Sequence, residues 1–335
     1  MLKVKESGLL TTVQDLGRYG YQRFGIPPSG AMDPYSSRLA NIMVDNELDC
    51  PVLEITGHGP ALEAMEPVEV GFAGGEFELK VNDEEVSMWE SIFLDEGDLL
   101  RIGNCRTGFR GYLSVSGGIK TEKILKSKST YMKGKIGGLN GKGNKIKKDD
   151  TIKPEKNINN FSKRKIPKKY RTNIQAKEIR VILGPQKTKF SETGIETLLN
   201  SEYRISTDSD RMGYRLEGPK IQHKNEADII TDAIPNGAIQ VPGNGKPIVL
   251  LNDRQTTGGY AKIANIITVD IPKITQKKPG EKIKFKEIDL KKAQKLYKNR
   301  QKRIQKLQKH NLTTNKQYKV KINEKDYLVT FREKP

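Results

Sequence analysis

Two groups of short alternating apolar runs, cut by glycine and proline, restrict this chain to a mainly β fold built from two similar units. The first group holds "LKVKESG", "PVLEITG", "VEVGFAGG", "FELKVNDEEV", "SIFLDEGDLLRIG" and "RGYLSVSGGI". The second holds "EIRVILGP", "EYRIST", "MGYRLEG", "GAIQVPG", "KPIVLLND", "NIITVDI" and "EKIKFKEI". A period of two with turn residues at the ends of each run reads as strands. "VNDEEV" predicts a hairpin turn, because Asn and Asp tolerate the left-handed backbone such turns need.

Each group carries one early helix. In "DPYSSRLANIMVDN" Asp33 is placed as the N-cap and Pro34 stands at the first helical position, where a missing N–H costs nothing. Leu39, Ile42 and Met43 then share a face. "SETGIETLLNS" is the second helix, with Ser191 or Thr193 as its cap. The expected organisation is a first β domain over 1–119, a Gly/Lys-rich loop and linker over 120–176, a second β domain over 177–285, and a basic tail over 286–335. The tail predicts a helix, "DLKKAQKLYKNRQKRIQKLQKH", whose apolar stripe (Ala293, Leu296, Ile304, Leu307) is thin enough to suggest a solvated helix. A hairpin, "QYKVKINEKDYLVTF", follows it.

The formal charge of +19 is unevenly spread. Residues 120–180 carry +15 and residues 286–335 carry +11, so the rest is acidic at −7. No nucleic-acid motif accompanies the basic segments and only 7% of residues are aromatic, so a solvated lysine surface explains the charge better than a nucleic-acid partner does. No apolar run approaches the ~18 residues that a membrane span requires. The N-terminus lacks the apolar core of a secretion signal. Cys50 and Cys105 have neither metal spacing nor a disulfide framework, which fits a reducing, cytoplasmic setting.

Two glycine-rich constellations invite a functional reading. One is residues 11–41, "TTVQDLGRYGYQRFGIPPSGAMDPYSSRLAN", which contains no lysine. The other combines "SDRMGYRLEG" with "GAIQVPGNGKPIVLLNDRQTTGGY". Neither matches a P-loop or a dinucleotide fingerprint. The three histidines are scattered, and no metal-ligand cluster is evident. Glycine backbones and the forked donors of Arg18, Arg211 and Arg215 suit a carboxylate or a phosphate. Asp15, Asp33, Asp210 and Asp253 would orient those arginines or move protons. On chemistry alone, tight β-turns explain the same residues slightly better.

These stretches, with "LEITGHGPAL", "YLSVSGGI", "SKSTY", "GPQ" and "DRQTTGGYAKIA", resemble in order the biotin-dependent carboxyltransferase family, also called allophanate hydrolase subunit 2. The resemblance runs from about residue 3 to 285. It implies two cyclophilin-like β-barrel domains, in agreement with the run pattern. The family includes the C subunit of ATP-dependent 5-oxoprolinase, the carboxyltransferase region of urea carboxylase and an antagonist of a sporulation kinase inhibitor. The implied role is that of the first: acting with the A subunit and the kinase-inhibitor-like B subunit, using ATP and Mg²⁺, to phosphorylate 5-oxoproline and open it to L-glutamate. The alternatives are a carboxyltransferase component of a biotin-dependent carboxylase of the urea or allophanate type, or a regulatory protein that binds a kinase-inhibitor partner. The C-terminal hairpin loosely resembles the opening of a biotinyl domain. No Met-Lys-Met follows it, so covalent biotin is not expected on this chain.

Carried onto this sequence, the resemblance and the residue types mark Asp15, Arg18, Arg211, Arg215 and Asp253 as catalytic. They mark Gln14, Ser29, Gly30, Asp33, Asn41, Asp210, Gln240, Thr256, Gly258, Gly259 and Tyr260 as binding substrate or nucleotide. Arg211 and Arg215 would hold the anion, and Asp253 would orient them or bind Mg²⁺. Gly258 and Gly259 would supply N–H donors, and Tyr260 would close the pocket. The lysine-free loop is expected to face "SDRMGYR" and "DRQTTGGY" across a cleft between the domains.

Overall fold

The computed structural model describes residues 1–158, 160–309, 313–322 and 325–331. The chain divides into two units. The first comprises Met1–Gly17, Asp33–Thr172 and the chain from Arg303 onward; the second comprises Arg18–Met32 and Asn173–Lys302.

The first unit is built on a nine-stranded sheet of β1 (Leu2–Glu6), β2 (Leu10–Gln14), β3 (Val52–Thr56), β4 (Ala61–Ala64), β5 (Val68–Val81), β6 (Glu84–Glu85), β7 (Ser91–Leu94), β8 (Leu99–Val115) and β9 (Thr151–Ile152). The main path runs β2-β3-β8-β4-β1-β9, and β5 pairs with β6, β7 and β8. The run "VEVGFAGG" and the "FELKV" of "FELKVNDEEV" are one long strand, β5. Its register against β8 shifts near Gly74, which sits at φ +117°. Such bulges bend and twist a strand so that it can wrap a core. Leu53, Phe72, Leu100 and Leu113 lie in that core. The turn after β5 forms as expected, with Asn82 and Asp83 both at positive φ.

Helix α1 (Pro34–Met43) packs on this sheet. Gly71 of β5 permits the approach, because a Cβ there would lie 2.7 Å from the carbonyl oxygen of Ala40. Residues 120–158 belong to the first unit. Ser127–Thr130 and Ile146 are buried, and β9 pairs with β1. Strand β10 (Asn160–Arg164) pairs with β20 (Thr313–Ile322), which pairs with β21 (Lys325–Phe331). The "NEKD" turn of that hairpin falls partly outside the described residues.

The second unit is a closed barrel of β11 (Glu178–Leu183), β12 (Glu202–Ile205), β13 (Gly213–Glu217), β15 (Ala238–Gln240), β16 (Ile248–Leu250), β18 (Lys262–Ile266) and β19 (Lys282–Glu287), ordered β11-β18-β15-β16-β13-β12-β19. The parallel pair β11–β19 closes the ring. A separate two-stranded arm joins β14 (Asp228–Ala233) to β17 (Thr257–Tyr260). Helix α2 (Glu192–Asn200) is capped by Ser191, whose Oγ accepts from Gly194 N at 3.0 Å. Met32 packs into the barrel core with Ile239, Val249 and Ile263, which explains why the 18–32 loop belongs with this unit.

Two expectations need correction here. "NIITVDI" is not one strand: β18 ends at Ile266, and a helical turn leads into α3 (Ile271–Thr275). The basic helix α4 (Leu290–Lys309) is not simply solvated. Ala293 packs with Ile267 and Val269 of the second unit, and Ile304 and Leu307 are each only 2% exposed. No helix among the described residues is long and apolar enough to cross a membrane.

Candidate functional site: an arginine-bearing loop junction on the barrel

The glycine loop meets the barrel at one junction. Ser29 N donates to the carbonyl of Asn252 at 3.1 Å. Asn252 Nδ2 returns bonds to the carbonyls of Ser29, Gly30 and Ala31 at 3.0, 3.3 and 3.0 Å. Ser29 and Gly30 both hold left-handed backbone, at φ +54° and +84°, so their carbonyls can turn together toward one donor. A serine in this conformation is strained, and such residues concentrate at functional sites. Its Oγ is buried and makes no hydrogen bond among the described residues.

Arg211 holds the loop from the other side. Its Nη2 donates to the carbonyl of Gly30 at 2.7 Å. Its Nε and Nη2 also fork onto Asp253, at 2.9 Å to Oδ2 and 3.3 Å to Oδ1. Asp253 N in turn donates to the carbonyl of Arg211. Both side chains are 9% exposed. Asp253 thus holds the plane of the Arg211 guanidinium. Each of its carboxylate oxygens accepts one bond from that guanidinium.

Residues 18–32 of the loop lie in the second unit with "SDRMGYR" and "DRQTTGGY", and bond to Arg211 and Asn252 there. Arg18 belongs to this unit too and is fully buried. A guanidinium is more weakly hydrated than an ammonium, which suits arginine at this buried position. Arg215 points to solvent from β13. Asp210 is exposed and shapes the turn, accepting from Met212 N at 2.7 Å.

Arg254 is a residue the sequence reading missed. It is 7% exposed, and its Nε and Nη1 donate to the carbonyls of Ile234 and Leu251 at 2.8 and 3.0 Å. Burial pulls this guanidinium down to about 10, against the opposing pull of Tyr19 and Asp253. Asn252 and Arg254 flank Asp253 in the same motif. The signal available was residue type alone, a second forked donor beside the chosen carboxylate.

Ile234 links this junction to the arm. Its N–H donates to the carbonyl of Thr256 at 3.0 Å. Gly258 lies where a Cβ would come within 2.8 Å of Ile234 Cδ1 and 2.9 Å of Gln240 Nε2. Buried Gln240 donates from Nε2 to the carbonyl of Tyr260 at 3.2 Å. Gly258 and Gly259 lie on β17, and Tyr260 is 43% exposed. Lys262, also missed, donates from a buried Nζ to Asp232 Oδ2 at 2.8 Å, and Gln186 of "GPQ" joins the same oxygen at 3.0 Å. These bonds hold the Asp232 carboxyl below its usual range, the Lys262 bond most of all.

The remaining candidates lie in the first unit, each in its own bonding pattern. Asp15 gathers "SKST": it accepts from Ser127 Oγ, Lys128 N and Ser129 Oγ at 2.7, 2.6 and 2.5 Å. Gln14 donates from Nε2 to the carbonyl of Thr130 at 3.1 Å. Asp33 caps α1, accepting from Tyr35 N and Ser36 N at 3.1 and 2.9 Å. Asn41 accepts from Ser114 Oγ at 2.5 Å and donates to the carbonyl of Cys50 at 2.8 Å. No group of three or more His, Cys, Asp or Glu side chains among the described residues is placed to hold a metal ion.

Comparison with known proteins agrees with this architecture. The family described as carboxyltransferase domain, subdomain A and B, matches residues 24–287. The chain is 33% identical to the C subunit of 5-oxoprolinase from Escherichia coli K12 over 316 residues, covering 92% of this chain and 97% of that protein. Against the Haemophilus influenzae protein of the same name it is 32% identical, covering 88% and 94%. It is 31% identical to the urea amidolyase of Lachancea kluyveri over 93% of this chain but only 18% of that protein. Among solved structures, Kluyveromyces lactis urea carboxylase superposes with a TM-score of 0.84 at 30% identity, over 100% of this chain and 31% of the longer one. The bent nine-stranded sheet, the closed barrel and the ordered motifs thus place the chain in the carboxyltransferase domain family, subdomains A and B.

Proposed function

We propose that this chain is the C subunit of an ATP-dependent 5-oxoprolinase, acting with the A and B subunits to convert 5-oxoproline to L-glutamate. The observation that carries the reading is the likeness to two 5-oxoprolinase C subunits, 33% and 32% identical over 97% and 94% of their lengths.

The site chemistry supports the reading. Phosphorylating a lactam oxygen demands positioning and charge neutralisation more than a strong nucleophile. The second unit offers fixed guanidinium groups and a loop pinned by Asn252 and Arg211. ATP would supply the phosphoryl group, with Mg²⁺ carried on its phosphates and not in a protein cage. In this scheme Arg211 and Asp253 position the loop, Gln240 and the β17 glycines shape the wall, and Tyr260 borders the entrance.

A second reading has its own support, since the likeness to urea carboxylase spans the whole of this chain. One experiment separates them. The purified chain is combined with the A and B subunits, and 5-oxoproline-dependent ADP release is measured. Release that requires this chain is the expected result. No release, or release that persists when the chain is left out, overturns the proposal. Carboxyl transfer from carboxybiotin by the same preparation would favour the carboxylase. A tight complex with the B subunit and no turnover would favour a regulatory protein.

A further inference from the structure

Arg254 stands apart from its neighbour Arg211. The Arg211 charge is met by the Asp253 carboxylate. The bonds of Arg254 go to two neutral carbonyl oxygens, and among the described residues no carboxylate forms an ion pair with it. Its hydrogen bonds go to neutral acceptors, and the nearby Asp253 charge offsets only part of the cost of burying this cation, which a further anion would reduce. The two carbonyls take Nε and Nη1 and fix the plane of the fork, leaving Nη2 to a further acceptor. A second observation points the same way. Ser29 Oγ, on the loop bonded to Asn252 two residues before Arg254, is 1% exposed and without a hydrogen-bond partner among the described residues. A buried hydroxyl and a buried guanidinium are the complement that an oxyanion uses.

We propose that Arg254 is the oxyanion receptor of this site, binding a carboxylate of the acid substrate or a phosphate of the nucleotide, with Ser29 as an accessory donor. The identity of the two reactants rests on the function proposed above. Arg211 is then a positioning residue, and discrimination for a charged reactant lies with its neighbour in the site, Arg254.

Steady-state kinetics of the reconstituted three-subunit complex test this. Wild type, Arg254→Gln and Arg254→Lys are compared, varying 5-oxoproline at saturating ATP and then the reverse. Arg254→Gln is expected to raise one KM by roughly 10- to 100-fold, the range for one charged hydrogen-bonding group, and to leave the other near its wild-type value. A rise confined to 5-oxoproline identifies the carboxylate, and a rise confined to ATP identifies the phosphate. Arg254→Lys keeps the charge and loses the fork, so a smaller rise in the same KM is expected. Should the Gln variant fail to fold, the Lys variant decides alone. Both KM values unchanged, or both raised equally, overturn the inference. A wild-type complex without 5-oxoproline-dependent turnover overturns the functional reading and this substrate assignment together; that failure is recognisable because it appears in the control.

Discussion

Arg211 and Asp253 meet through a two-bond fork in a buried setting, and the same guanidinium reaches Gly30, 181 residues earlier in the chain. The pair thus does two jobs: it neutralises itself and it fastens the glycine loop to the barrel. Removing one partner leaves the other charge buried. Arg211→Ala and Asp253→Ala are each expected to lower stability by ~3–5 kcal/mol, the usual cost of orphaning one member of a buried pair. The apolar double variant Arg211→Met/Asp253→Leu should lose less than the two singles added together. Urea midpoints followed by far-ultraviolet circular dichroism would show this. Single variants within ~1 kcal/mol of wild type, the range of an exposed pair, would remove the pair from the argument.

The loop itself depends on Asn252. Its one amide nitrogen serves three consecutive carbonyls, and its own carbonyl accepts from Ser29 N. Asn252→Ala should leave the barrel core intact and loosen the loop, since the lost bonds are local. Tyr19 and Phe24, 65% and 63% exposed, give chymotrypsin sites within that loop. Cleavage there should rise about tenfold, as expected when ~1.4 kcal/mol of local protection is lost. An unchanged cleavage rate would mean that the loop is held by other contacts.

Much of this fold could be read from short-range chemistry. Asp33 and Pro34 announce α1 within one turn, and Asn82-Asp83 announces the β5–β6 turn, because the residues that decide are adjacent. Longer-range features were harder to read. Strands β5 and β8 looked like separate runs, since bulges interrupt their alternation. "NIITVDI" looked like a strand because a short buried helix and a buried strand carry the same apolar run. At the site, the residue types pointed to an anion, and the motifs named Asp253 and Arg211. What could not be read was how charge is shared. Arg211 is neutralised by a neighbour 42 positions away, while Arg254, among the described residues, bonds carbonyls, and side-chain partners of that kind exist only once the barrel has closed.

Acid should weaken the second unit through Asp270. This fully buried carboxylate accepts from Arg180 N and Nε at 2.9 and 2.8 Å on Oδ2 and from Arg180 Nη2 at 2.7 Å on Oδ1, with Lys273 Nζ 3.1 Å away. Burial pushes its pKa up, but the bonds from Arg180 and the Lys273 charge outweigh that and hold it below 3.8. A carboxyl depressed in the folded state stabilises above its unfolded value and loses that contribution as pH falls through the folded value. The window therefore opens near pH 4 and extends downward, about where unfolded aspartates titrate. Asp270→Asn removes the charge and keeps the shape. At neutral pH it should cost on the order of 3 kcal/mol, because Arg180 and Lys273 lose their carboxylate. Between about pH 4 and pH 2 it should lose less further stability than wild type does, because this proton no longer binds. Urea midpoints taken across that range give the slope directly. Parallel acid profiles for the two proteins would show that Asp270 does not control the acid response.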